Sequence, residues 1–407
     1  MKKFITAILI CVAFAAQAQT IKQLKQDMYG IASDATEGRF TGSPGYLKAA
    51  RYVAGQLKAA GLKTTLQSVP FVWDNYDGSI LTIEGITYQH KGGNFIVLQY
   101  STSEPGHWMI LKSIPDSSET EKLLKEKVAG VILLPNKQQS GDWETTVIRQ
   151  YRFGYMHYAA DYVPANAPLS IITISPALAE KVNDGQKLLV NLKFRTEKVN
   201  GYNVIASLPG ADRKRKNQTI IAGAHLDHIG RLGAHIYNGA NDDAGGCVAL
   251  MAAARSFSKH FARRSIMFVF YCGEELNLLG SRYFMEHPPI PVKDIILNIN
   301  LEQIGSKHRS FHGIWAIGDP QFHDSFFASG SMFTGADLKY SPTDSLRDVL
   351  SNTDSYSFMK KNVPSVLLGS GGFDEHHTPE DKIDLIDFAH LQKASRLLVS
   401  LIGKLAN

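Results

Sequence analysis

The stretch Thr219-Ile220-Ile221-Ala222-Gly223-Ala224-His225-Leu226-Asp227-His228 decides the architecture. After Thr219 the five residues Ile220 to Ala224 form an apolar run of strand length with no polar alternation, and the stretch ends in two histidines and an aspartate. A strand that is apolar at every position is buried on both faces. Outward from it the pattern strand, loop, helix repeats. Cys247 to Phe257 reads as a helix, Ser265 to Tyr271 as a strand, Leu278 to Met285 as a helix, and Ile295 to Asn300 and Phe311 to Ile317 as strands. Tyr356 to Lys361 is a helix, Val363 to Leu368 a strand and Phe388 to Leu405 a closing helix. The expected fold class is α/β, a mostly parallel mixed sheet with helices on both faces. His225, Glu274 and Glu302 each fall just past the carboxyl end of an apolar strand, and His377 lies in the loop after the strand ending at Leu368. That edge is where open α/β sheets bind ligands.

Upstream, Ser43-Pro44 followed by Tyr46, Ala50, Val53, Leu57 and Ala60 spaces apolar residues alternately four and three apart up to Gly61. This is an amphipathic helix with its own start and stop. Between Val69 and Lys198 the character changes to short runs, Phe95 to Tyr100, Val128 to Leu134 and Leu169 to Ile174, around one charged helical stretch, Glu119 to Lys127. The expectation is a main domain over 19–68 and 199–407, interrupted by a smaller β-rich α+β insert over 69–198.

Residues 1–18 read as a secretory signal: Lys2 and Lys3, an apolar run from Phe4 to Ala16, and Ala16-Gln17-Ala18 as a small-x-small cleavage site. The run is too short to span a membrane. Its removal takes two lysines from a chain of net charge +5, leaving a nearly balanced protein. The basic cluster Arg213 to Lys216 sits in a polar stretch and reads as a solvated turn rather than a nucleic-acid contact. Beyond the signal only Cys247 and Cys272 remain, so there is no disulfide framework.

Five segments set metal-ligating residue types in glycine- or turn-rich surroundings. They are Gly223-Ala224-His225-Leu226-Asp227-His228, Gly239-Ala240-Asn241-Asp242-Asp243-Ala244-Gly245-Gly246, Tyr271-Cys272-Gly273-Glu274-Glu275, Asn298-Ile299-Asn300-Leu301-Glu302, and Asp374-Glu375-His376-His377-Thr378-Pro379-Glu380-Asp381. Two His, three carboxylates and a further Glu suffice for two divalent ions and a base. Asp242 either bridges two cations or, with Asn241 and Asp243, caps the helix through Val248. His225 with Asp227 has the form of a ligand beside a carboxylate that fixes its tautomer; a structural His is the alternative. In Glu274-Glu275 neighbouring side chains point apart, so one acid can bind metal while the other faces substrate. Pro379 stiffens the His377 loop, and Asp381 is near enough to accept from it.

In this order the segments resemble the exported dizinc aminopeptidases of the family that also contains glutamate carboxypeptidase, the transferrin receptor and glutaminyl cyclases. The resemblance extends to Glu37-Gly38-Arg39-Phe40-Thr41-Gly42-Ser43-Pro44-Gly45, to Tyr202-Asn203-Val204-Ile205 and to Leu208-Pro209-Gly210, and the 69–198 insert looks like a protease-associated domain. It implies His225 and Glu302 on one zinc, Glu275 and His377 on the other, and Asp242 bridging. Glu274 becomes the general base, Asp227 the partner of His225, and the Asp242–Asp243 peptide is expected to be cis. Manganese or cobalt suits the same mixed ligand set. The implied substrates are peptides with a free N-terminus, met in the periplasm or outside the cell, with no nucleic-acid partner and no stable membrane insertion.

Three positions depart from the family pattern. Glu302 stands where the archetypal aminopeptidases use Asp. His376 stands where Tyr helps hold the oxyanion, which makes His376 the candidate for that role. Asn352, in Ser351-Asn352-Thr353-Asp354-Ser355, replaces an Arg that positions substrate. A carboxypeptidase or dipeptidase would need a basic pocket, and only Arg231 and Arg282 lie near the metal segments. A glutaminyl cyclase would carry one zinc, whereas both His225 and His377 are kept. A receptor-like relative without catalysis would have no use for Glu274.

Overall fold

The computed structural model describes residues 20–407 apart from 91–92, 102–106, 137–142, 163–166, 184–185, 187, 331–332 and 334–336. The signal-like segment 1–18 lies outside the described residues. The chain divides into two compact units, Met1–Val69 with Asn200–Arg231 and His235–Asn407, and Pro70–Val199 with Leu232–Ala234.

The larger unit is built on a mixed sheet. Thr219–His225 pairs in parallel with Ser265–Tyr271 on one side and with Ile295–Glu302 on the other, and Ser365–Gly369 is parallel beyond Ile295–Glu302. Arg195–Leu208 runs antiparallel to Ser265–Tyr271. At the far flank Ile314–Gly318 is antiparallel to Ser365–Gly369 and parallel to Leu338–Pro342. The α/β class expected from the sequence is thus the class observed.

The order of the strands explains where the site falls. From Thr219–His225 the chain passes through the helix Gly245–Phe257 to one neighbour, Ser265–Tyr271. It then returns through Leu279–Glu286 to the opposite neighbour, Ile295–Glu302. Right-handed crossovers in opposite directions place these two helices on opposite faces. The order therefore reverses at Thr219–His225, and a crevice opens at its carboxyl end. On one face Ile221, Met267, Val269 and Tyr271 pack with Phe284, Met285 and Phe358. Gly245–Phe257 and Phe388–Ala406 pack on each other and against Thr219–His225. Every residue of that strand is buried, which is why its sequence carries no alternation.

In the smaller unit the strand order is Phe95–Gln99, Ser170–Ile174, Val128–Leu133 and His107–Leu111. A separate antiparallel sheet joins Ile86–Gln89, Ile80–Ile83 and Leu188–Asn191. Leu81, Phe95, Ile132, Tyr155 and Ile172 share one core. The Tyr155 hydroxyl donates to the Val97 carbonyl at 3.1 Å and lies 3.0 Å from His90 Nε2. The charged stretch is the helix Ser117–Lys125, capped by Asp116, whose side chain accepts from the Glu119 N–H.

Candidate metal centre

All five segments arrive at the carboxyl edge of the sheet. His225 is the last residue of its strand, and Glu302 the last of its own. Glu274 and Glu275 follow Ser265–Tyr271 after Gly273, whose φ is 64°. His377, at φ 58°, lies in the loop after Ser365–Gly369.

Asp242 comes from a turn immediately before Gly245–Phe257, and the Asp242–Asp243 peptide is cis. Asp243 does the capping: its Oδ1 accepts from the N–H groups of Gly246 and Gln303, each at 3.1 Å. The Asp242 carboxylate is left to face His225. Asp381 fixes this turn, accepting from Asn241 N–H at 2.8 Å and Asp242 N–H at 3.0 Å. Its carboxylate therefore anchors the Asp242 turn. Gly239 turns the chain at φ 56°, where a Cβ would lie 2.2 Å from the Asp242 carbonyl oxygen.

Two donor groups share Asp242: His225, Asp242 and Glu302 in one, and His228, Asp242, Glu275 and His377 in the other. His225 Nε2 lies 3.2 Å from Asp242 Oδ1 and 3.2 Å from Glu302 Oε1. His377 Nε2 lies 3.3 Å from Asp242 Oδ2 and 3.2 Å from Glu275 Oε1. A tetrahedral zinc with ligands at about 2.0 Å spaces those ligands about 3.3 Å apart. All four separations match that edge, and Glu302 Oε2 is buried without a hydrogen-bond partner. The donor types and their spacing in both groups fit zinc, and Asp242 belongs to each group.

The charges tell the same story. Burial pushes the Glu274 carboxyl well above the usual range, with Glu275 and Glu302 adding to the rise and His225 opposing it. Burial and the neighbouring acids also raise Glu302. Burial would lower His377, but Glu275 and Asp242 outweigh it and raise its pKa to about 10. Burial would raise Asp242, yet His225, His376 and His377 hold it well below the carboxylate range. So many acids in one buried place repel one another, and bound cations relieve that repulsion.

Asp227 acts differently from the simple expectation. His225 Nδ1 is 3.1 Å from the Asp227 main-chain carbonyl oxygen but 4.0 Å from its carboxylate. The carbonyl is thus the nearer acceptor that sets the ring, while Asp227 Oδ1 accepts from the Glu274 N–H at 3.1 Å. His376 stacks on His377 with ring centroids 3.8 Å apart, and its Nε2 is 3.0 Å from Asp242 Oδ2. It stands at the rim of the cluster.

Two participants escaped the sequence reading. His228 is buried, and its Nδ1 lies 2.8 Å from Glu275 Oε1. Arg39 is buried and donates to the carbonyls of Leu226 at 2.7 Å, Ile31 at 3.2 Å and Gly239 at 2.9 Å, and to that of Asn238. It ties the loop after His225 to the turn before Asp242. Cys247 and Cys272 are both buried free thiols.

A reversing α/β sheet whose carboxyl edge carries two donor groups around one shared Asp defines a metal-binding protein with the zinc aminopeptidase fold. Residues 203–402 match the model of peptidase family M28, so this part of the chain carries an M28 peptidase domain. Over 212 residues it is 28% identical to a probable leucine aminopeptidase 2 of Aspergillus oryzae, covering 47% of this chain and 40% of that protein. Over 121 residues it is 32% identical to leupeptin-inactivating enzyme 1 of Streptomyces exfoliatus, covering 29% of this chain and 26% of that one. The chain thus spans well under two thirds of the length of these relatives. Among solved structures, an aminopeptidase from Aneurinibacillus sp. strain AM-1 superposes with a TM-score of 0.63 at 19% identity, covering 98% of this chain and 96% of that one. BSAP, a zinc aminopeptidase from Bacillus subtilis, gives 0.66 at 16% identity, with 95% of each chain covered. These two likenesses concern the fold.

Proposed function

We propose that this chain is an exported zinc aminopeptidase that removes the N-terminal residue of peptides. The observation that carries the reading is the pair of donor groups meeting at Asp242 with zinc-like ligand spacing. His225 and Glu302 would hold one ion, Glu275 and His377 the other, and Asp242 both. Zinc bound there supplies Lewis-acid activation of water and of the scissile carbonyl. Manganese or cobalt would be accommodated by the same donors.

The chain's own residues do the rest. Glu274, beside the cluster and raised in pKa by burial, takes a proton from the attacking water and delivers it to the leaving nitrogen. Asp227 holds the Glu274 main chain, so the base stays aimed. His376, at the rim, would donate to the carbonyl oxygen as it gains charge. Glu302 and Glu274 present negative charge to a protonated α-amine, whereas a C-terminal carboxylate would meet like charge there. The 70–199 unit is read as a protease-associated-like insert, and the signal-like segment supports export.

Paired peptides that differ only in N-terminal acetylation test the substrate claim. The free-amine peptide is cleaved after its first residue and the acetylated one is not. Equal turnover of both would mean that the enzyme is not an aminopeptidase.

A further inference from the structure

The basic turn Arg213 to Lys216 acquires a second cationic segment in the fold. The N–H groups of Ala211 and Asp212 donate to the carbonyls of Ala262 and Arg263 at 2.9 and 3.2 Å, so two loops run side by side. Ser265 Oγ donates to the Lys216 carbonyl at 2.6 Å, tightening the pair. The second loop adds Lys259, Arg263 and Arg264. Arg264 N–H donates to the Ala406 carbonyl at 2.9 Å, which brings in the helix end that carries Lys404.

Within 209–218 and 258–264 the only carboxylate is Asp212, and Arg263 occupies it at 2.6 Å. Arg213, Lys214, Lys216, Lys259 and Lys404 are exposed. Burial holds the Arg264 guanidinium below its usual pKa, and the neighbouring Arg215 and Arg263 lower it further while Asp212 opposes them. Amid this charge Phe261 is 90% exposed. Both loops lead into the first residues of Thr219–His225 and Ser265–Tyr271, so the patch lies at the sheet edge opposite the metal cluster.

We propose that this edge docks the protein on a bilayer that carries anionic phospholipid headgroups, with Phe261 as the apolar anchor. A surface ring standing clear among cations is the arrangement by which peripheral proteins combine headgroup attraction with shallow apolar burial. A nucleic acid would use the cations but gain little from a single exposed ring. Among the described residues no helix is long and apolar enough to cross a membrane, so the attachment is reversible and superficial. Docked by this edge, the metal cluster faces away from the lipid, toward diffusing peptides.

Sedimentation of the purified protein with vesicles of phosphatidylethanolamine and phosphatidylglycerol, and with vesicles of phosphatidylcholine alone, tests this. Binding is expected only to the anionic vesicles, and only at low ionic strength. The double variant K214E/K216E should lower partitioning at least about 25-fold, since each cation near an anionic surface is worth about fivefold. F261S should lower it about tenfold while leaving retention on duplex DNA unchanged. K307E, at the metal edge, should bind vesicles as the parent does. Equal binding to both vesicle types, binding to neither, or an unaltered F261S would overturn the proposal; duplex DNA bound without vesicle binding would assign the patch to a polyanion.

Discussion

Glu274 and Glu275 are adjacent, yet their surroundings differ, and the proposed reaction gives them separate roles. Glu275 lies among His228, Asp242 and His377, while the Glu274 N–H donates to Asp227 Oδ1. E274Q should keep its metal and lose kcat by about 100- to 10,000-fold, the range for a positioned general base. E275Q should instead lose metal at modest chelator concentrations. Measuring metal content and kcat on both variants separates the roles, and an active E274Q would end the assignment. His228 belongs to the same scale. Its 2.8 Å contact orients Glu275, so H228F should weaken metal retention about 10- to 100-fold, as loss of a ligand's supporting hydrogen bond does. Titration against a chromophoric chelator reads this directly. Sequence alone offered two histidines three residues apart. Only the path of the chain beyond the strand end shows that the first faces Glu302 and the second Glu275.

Elements whose sequence mirrors their burial were legible. Ser265–Tyr271 was bounded correctly because all but its first residue is buried and apolar packing surrounds it. Gly245–Phe257 and Phe388–Ala406 differ from the sequence reading by a residue or two, where glycines and caps blur the ends. Leu338–Pro342 was not anticipated. It is an edge strand with Lys339 and Ser341 beside Tyr340, and its pattern of partial exposure leaves no apolar run to find. Ile314–Gly318 begins later than Phe311, which lies in the loop before it. Arg39 was visible only as part of a flank, because a buried Arg is recognised by the carbonyls around it. R39A should leave those carbonyls unpaired at about 1–3 kcal/mol each. A fall in Tm of roughly 10 °C is expected for a unit of this size. R39K should fall between the two, and a thermal melt of R39A unchanged from the parent would show that the loops do not depend on it.

Across the whole molecule the fold was readable, as was the gathering of the five proposed donors at one edge, because strand ends recur in sequence at the places where a reversing sheet brings them together. The shared contacts of Asp227, Asp381 and His376 were not, since they depend on which atom of a residue faces which loop. Acid sensitivity is a property of this scale. Burial lowers His90 to about 4 in the smaller unit, with Asp77 opposing. In the larger unit burial, reinforced by Arg309, lowers His390 to about 4. An unfolded His titrates near 6.5, so between about pH 6.5 and 4 the unfolded chain binds more protons than the folded one. Stability should therefore be full above about 6.5, fall as the pH drops toward 4, and level off below for these two groups. Each contributes at most about 3 kcal/mol. Thermal melts across that range should show the fall, and H90F, which keeps the Tyr155 bond to the Val97 carbonyl, should flatten it in the smaller unit. A fall that H90F leaves unaltered would trace it to other groups.

All of the proposed chemistry depends on Asp242 joining two metal ions. Elemental analysis of the purified, dialysed protein, alongside its peptidase activity during stepwise reloading of the metal-free form with zinc, tests it most directly. The expected result is two zinc ions per chain, with D242N losing both. One ion per chain at full activity, or a D242N variant that keeps two, would contradict the account.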